Sequence, residues 1–121
     1  MSFTQYDHPL LVRTLCKPGH EIHASLTDLD CHLLHMSSKL CSEAGELMDA
    51  VGKAVYYRKP LDLLNIKEEL GDIEFYLEGL RQSLNIPREE TLALNISKLE
   101  TRYPSGSYSN LDAQERKDKH D

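Results

Sequence analysis

From Leu63 onward the apolar residues alternate steps of three and four without a miss: Leu63, Ile66, Leu70, Ile73, Leu77, Leu80 and Leu84. That spacing follows one face of an α-helix and no face of a strand. A similar row precedes it, through Leu33, Met36, Leu40, Ala44, Leu47, Val51 and Val55. Its helix can start at Thr27 or Asp28, both good N-caps. It should end between Tyr57 and Lys59, because Pro60 has no N–H and restricts the residue before it. Asn85-Ile86-Pro87 ends the second helix and opens a third, where Pro87 suits the first turn and Glu89 and Glu90 suit the positive dipole end. The third stripe is Leu92, Ile96, Leu99 and Tyr103. Successive long helices, short connections and no alternating pattern predict an all-α fold, an antiparallel helical bundle of the four-helix type.

Both ends are less patterned. Leu10 to Cys16 suits a short helix and Lys17-Pro18-Gly19 a break, so residues 1–30 form a weakly patterned N-terminal segment. Pro104-Ser105-Gly106-Ser107 stops the third helix. Residues 105–121 are polar, nearly all charged after Glu115, and are expected to be a flexible tail. A single domain over residues 1–104 follows. A chain of 121 residues buries only a modest core, so the bundle is expected to be completed by oligomerisation, as a homodimer or homotetramer.

Charge and cysteine usage narrow the function classes. The formal net charge of -6 argues against a general nucleic-acid binder, which carries a basic stripe. It leaves room for a phosphate ligand bridged by metal ions. No run approaches the roughly 18 apolar residues of a membrane span, and residues 1–10 lack the basic start and apolar run of a secretory signal. Cys16, Cys31 and Cys41 are odd in number with no CxxC, which suits a reducing, cytoplasmic setting.

The acidic residues are placed more tellingly. Glu43 and Glu46 are three apart on the first long helix, and Glu69 and Asp72 are three apart on the second. Residues three apart are neighbours on a helix surface. At about 100° per residue, each pair falls on a flank of its own apolar stripe, in the same sense. Facing the helices antiparallel puts both pairs on one side of the hairpin. Their heights match as well, since the midpoint of Glu46 and Glu69 is 57.5, as is that of Glu43 and Asp72, in the expected turn. Four carboxylates at one level repel each other unless cations bridge them, and hard oxygen donors suit Mg²⁺ or Mn²⁺. A solvated acidic face with nothing bound is the competing reading.

The run Ser42-Glu43-Ala44-Gly45-Glu46-Leu47, followed by Asn65-Ile66-Lys67-Glu68-Glu69-Leu70-Gly71-Asp72, resembles the MazG-like all-α nucleoside triphosphate pyrophosphohydrolases, most closely the short bacterial and phage forms. The resemblance runs from about Leu33 to Tyr108 and includes Asn95-Ile96-Ser97-Lys98-Leu99 and Arg102-Tyr103-Pro104. It implies Mg²⁺-dependent cleavage of a nucleoside triphosphate between the α and β phosphates, giving a monophosphate and pyrophosphate. Glu43, Glu46, Glu69 and Asp72 would be the metal ligands, with Glu46 or Glu43 orienting or deprotonating the attacking water. Many members carry a further glutamate just before the ExxE, where this chain has Ser42.

Other candidates surround this core. Lys53 shares the flank of Glu43 and Glu46 and suits phosphate contact, as does Lys39 more weakly. Asn95, Lys98 and Arg102 step along one edge of the third helix, an amide and two cations suited to sugar and phosphates. His35 suits the nucleotide pocket or helix packing. Tyr76, one turn after Asp72, suits base stacking or, better, the core. His20, His23, Cys31, His32, His35 and Cys41 lack the paired spacing of a zinc site. Two other function classes remain: a nucleotide- or metal-binding module with little turnover, and a helical interaction protein.

Overall fold

A computed structural model describes residues 2–119 of the chain. It is all-helical, with no strand among the described residues. The helices are α1 (His8–Leu15), α2 (Gly19–Ser25), α3 (Asp28–Tyr56), α4 (Leu63–Leu84), α5 (Arg88–Arg102) and α6 (Asn110–Glu115), preceded by a 3-10 turn at Gln5–Asp7. The chain divides into two compact units, Met1–Leu34 and His35–Asp121.

In the first unit, Thr4 caps the 3-10 turn. Its backbone N–H donates to Asp7 at 2.8 Å while its hydroxyl accepts from Tyr6 N–H. The short helix expected over Leu10 to Cys16 is α1, which begins earlier, at His8, and ends at Leu15. Lys17-Pro18-Gly19 does break the chain, but α2 starts directly at Gly19. Pro18, with φ -61° and ψ 134°, takes the extended N-cap conformation and its carbonyl accepts from Glu21 N–H at 3.1 Å. Thr27 and Asp30 then form a reciprocal capping box that starts α3: Thr27 N–H donates to Asp30 at 2.9 Å and Asp30 N–H to Thr27 Oγ1 at 3.1 Å.

In the second unit, helix ends follow their local chemistry. After α3, Arg58 adopts φ 55° and Lys59 N–H donates to Ala54 C=O at 2.9 Å. After α4, Asn85 adopts φ 55° and Ile86 N–H donates to Arg81 C=O at 2.9 Å. Both closures are of the Schellman kind, which satisfies carbonyls that the last turn leaves open. Asp62 starts α4 by accepting from Asn65 N–H at 3.1 Å.

The covered face of α3 differs from the apolar stripe read from sequence. Met36, Leu40, Leu47 and Ala50 are half-buried, and the two most covered residues of the whole helix are Glu43 at 8% exposure and Ala54 at 9%. Ala44, Val51 and Val55, assigned to the inner stripe, are exposed. On α4 the half-buried line runs Ile66, Glu69, Ile73, Tyr76 and Leu80, while Leu63, Leu70 and Leu84 are exposed. Each helix therefore has two apolar edges, and a glutamate sits in the line that the two helices share. A Cβ added to Gly79 of α4 would lie 2.7 Å from Met36 Sδ of α3, so the two helices touch closely there.

Candidate active site

The register of the two long helices brings acids together. One carboxylate oxygen each from Glu43, Glu69 and Asp72 lies within 4.8 Å of the others, a spacing that one metal ion can span. Glu43 is buried, Glu69 half-buried and Asp72 exposed, so the trio grades from the helix interface to solvent. Glu43 Oε2 and Glu69 Oε2 are shielded from solvent and accept no hydrogen bond from any described residue. A buried anionic oxygen without a donor is costly. Two of them side by side call for a cation, and an all-oxygen donor set fits a hard divalent ion.

Glu69 records the crowding. Its carboxyl is pushed up to about 7, first because it can share a proton with facing Glu43, then through burial, then through the charges of Glu46 and Glu43. The cluster is therefore short of positive charge.

Beside the trio lies a groove of about 420 Å³. Glu46, exposed and outside the trio, lines it with Glu69. Lys53 lines it too, held by Asp49 at 2.9 Å in an i,i+4 ion pair that raises its pKa. Ser42 and Gly45 complete the α3 wall and Asn65 the α4 wall. Asp49 and Asn65 escaped the sequence reading. Asp49 continues the step of three from Glu43 and Glu46, and Asn65 lies one turn before Glu69; either spacing is a signal that points to the groove.

The remaining sequence candidates lie elsewhere. His35 is exposed on α3, eight residues before Glu43 and so about 12 Å along the helix. Tyr76 is half-buried and packs edge-on against Phe75, with centroids 5.1 Å apart and planes at 84°. Asn95, Lys98 and Arg102 sit along α5, and none of them lines the carboxylate groove. Arg102 instead makes a two-pronged ion pair with Asp118, Nε to Oδ1 at 2.6 Å and Nη2 to Oδ2 at 2.9 Å.

A family model described as the MazG nucleotide pyrophosphohydrolase domain matches residues 32–107. The chain belongs to the MazG family. No curated protein and no solved structure matches it. The matched segment holds all four acids and the three α5 residues, while Asp118 lies beyond it. The MazG assignment carries nucleotide pyrophosphohydrolase chemistry at the level of the family, and the acidic trio is a place where a divalent metal can bind. Among the described residues, no helix is long and apolar enough to cross a membrane.

Proposed function

We propose that the chain hydrolyses a nucleoside triphosphate between the α and β phosphates, dependent on Mg²⁺, with Mn²⁺ as a substitute. Water adds to one phosphorus of that anhydride. The bridging oxygen leaves with the other, giving a nucleoside monophosphate, pyrophosphate and one proton. The observation that carries this reading is the convergence of Glu43, Glu69 and Asp72 around two donorless buried oxygens.

Glu43, Glu69 and Asp72 hold the metal, and Glu46 contributes from the groove side. A bound divalent ion neutralises phosphate charge and makes water more acidic. Glu46, exposed beside Glu69, orients the attacking water and accepts its proton. Lys53 meets the phosphate chain while Asp49 keeps its ammonium extended along α3. Asn95, Lys98 and Arg102 supply the sugar and phosphate contacts of the α5 edge.

Self-association belongs to the same reading. Met48 is 73% exposed and Phe75 66%, and Val55, Tyr56, Leu64, Leu94 and Ile96 are exposed as well. Apolar side chains in such number on α3, α4 and α5 fit a bundle whose core is closed by further copies, as a dimer or tetramer. The three exposed free cysteines fit the reducing cytoplasm.

Ser42 favours one other reading, a domain that binds nucleotide with little turnover, since it replaces a carboxylate at the groove. Pyrophosphate release from a panel of ribo- and deoxynucleoside triphosphates separates the two. The hydrolase releases pyrophosphate only with Mg²⁺, and Glu46→Ala and Asp72→Ala abolish release while remaining folded. Binding of a nonhydrolysable triphosphate without release from any nucleotide would establish the binding module instead.

A further inference from the structure

The polar segment after Pro104 folds back on α5. Ser109 caps α6 by accepting from Asp112 N–H at 3.1 Å, and the chain then turns at Arg116, whose φ is 49°. Lys119 N–H donates to Arg116 C=O at 2.9 Å, which closes that turn. The turn drives Asp118 inward, where its side chain is only 2% exposed, onto the guanidinium of Arg102. A tight turn next to α5 also sets the exposed Lys119 against the half-buried Lys98, one turn before Arg102 on that helix.

We propose that Lys98 and Lys119, beside an Arg102 oriented by the buried Asp118, form a seat for a polyphosphate anion. Three features support it. Asp118 takes two of the five guanidinium N–H groups, those on Nε and Nη2, and so fixes the plane of Arg102, with three N–H groups outside that pair. Lys98 and Lys119 are like charges held close. The Lys98 ammonium, with burial and then Arg116 adding, lowers the pKa of Lys119, and Asp118 opposes it. Among the described residues, Lys98 and Arg116 both act on Lys119, and Arg102 lies one turn after Lys98 on α5, a local excess of cations in a chain whose net charge is -6. Such an excess is relieved by an anion with several oxygens, and planar Arg with flanking ammonium groups suits phosphate.

The choice of polyphosphate rests on the proposed function; the cation cluster does not. Asp118 is a positioning residue here, acting through Arg102, and Lys119 is a direct contact from a segment outside the family match.

The test is calorimetric titration of inorganic tripolyphosphate into the full chain, in EDTA so that the acidic trio has no metal to offer. Wild type is expected to bind. Lys119→Ala, on an exposed side chain, should weaken binding about tenfold, the loss of one charge-assisted hydrogen bond. Lys119→Arg should restore it to within about threefold, since the charge is kept. Asp118→Asn should also weaken binding although it removes a negative charge, because Arg102 loses its orientation. No binding by wild type, unchanged affinity in Lys119→Ala, or tighter binding in a folded Asp118→Asn would each overturn the seat. Binding that depends on Lys119 without any triphosphate turnover would leave the seat standing and remove the hydrolase. Mg²⁺-dependent turnover with Lys119→Ala binding as wild type would do the reverse.

Discussion

Met36 of α3 and Gly79 of α4 meet in the same register as Glu43 and Asp72: each pair has its midpoint at 57.5 in the sequence. One antiparallel alignment therefore sets both this side-chain contact and the acidic trio two turns away. Gly79 permits that approach, because a Cβ there would fall 2.7 Å from Met36 Sδ. The obstructing atom is the end of a flexible side chain, so Gly79→Ala should change stability by no more than about 1 kcal/mol, helix propensity offsetting the shift of Met36. Gly79→Leu should cost about 1–3 kcal/mol as an overpacked seam, and by spreading α3 from α4 should also reduce stabilisation by Mg²⁺. Denaturant unfolding in EDTA and in Mg²⁺ measures both effects.

Glu43 is the acid that the fold covers most, and it has no donor of its own for Oε2. Glu43→Gln removes charge from the crowded trio without changing its volume. The metal-free protein should keep or gain stability, while the rise in Tm on adding Mg²⁺ disappears and kcat/KM falls by about a hundredfold or more, the scale of a lost electrostatic group in an active site. Thermal scans with and without Mg²⁺, alongside steady-state kinetics, check this. Loss of stability in EDTA would mean that Glu43 serves the fold rather than a metal.

Stability of the metal-free protein should fall as pH rises. Glu69 titrates near 7 in the folded state, raised from 4.5 by Glu43, burial and Glu46. Between those values the folded protein holds a proton that the unfolded chain has released, so the slope of stability with pH is negative there. A divalent ion competes with that proton, so Mg²⁺ should raise Tm more at pH 8 than at pH 6. Scans across pH 5 to 8 in EDTA and in Mg²⁺ test the sign, and a rising Tm in EDTA would refute it.

The exposed apolar edges of α3 and α4 predict association. Sedimentation should give a mass at least twice the 13.8 kDa of one chain, and Tm should rise with protein concentration. Phe75→Glu, at a side chain 66% exposed, should shift the mass towards one chain. A single-chain mass at every concentration would contradict closure of the core by further copies.

These features were unevenly legible in the sequence. The period of α3, α4 and α5 and the stops at Pro60 and Asn85 are local and were readable, and so was the register of Glu43 with Asp72, because it depends only on where the turn falls. The rotation of α3 was not. Met36, Leu40, Leu47 and Ala54 make one apolar edge and Ala44, Met48, Val51 and Val55 another, and spacing alone does not say which faces α4. Glu43 therefore read as a flank residue although it lies in the covered line. Asp118 was hidden differently: its partner Arg102 is sixteen residues away across a Gly-Ser turn, and nothing in a charged run marks which carboxylate will be buried.

The most direct measurement is ³¹P NMR of one nucleoside triphosphate incubated with the protein and Mg²⁺. The account predicts monophosphate and pyrophosphate resonances growing together in equal amounts, and neither in Glu43→Gln nor in EDTA. Nucleoside diphosphate with orthophosphate, or an unchanged triphosphate with folded protein, would contradict cleavage between the α and β phosphates at this site.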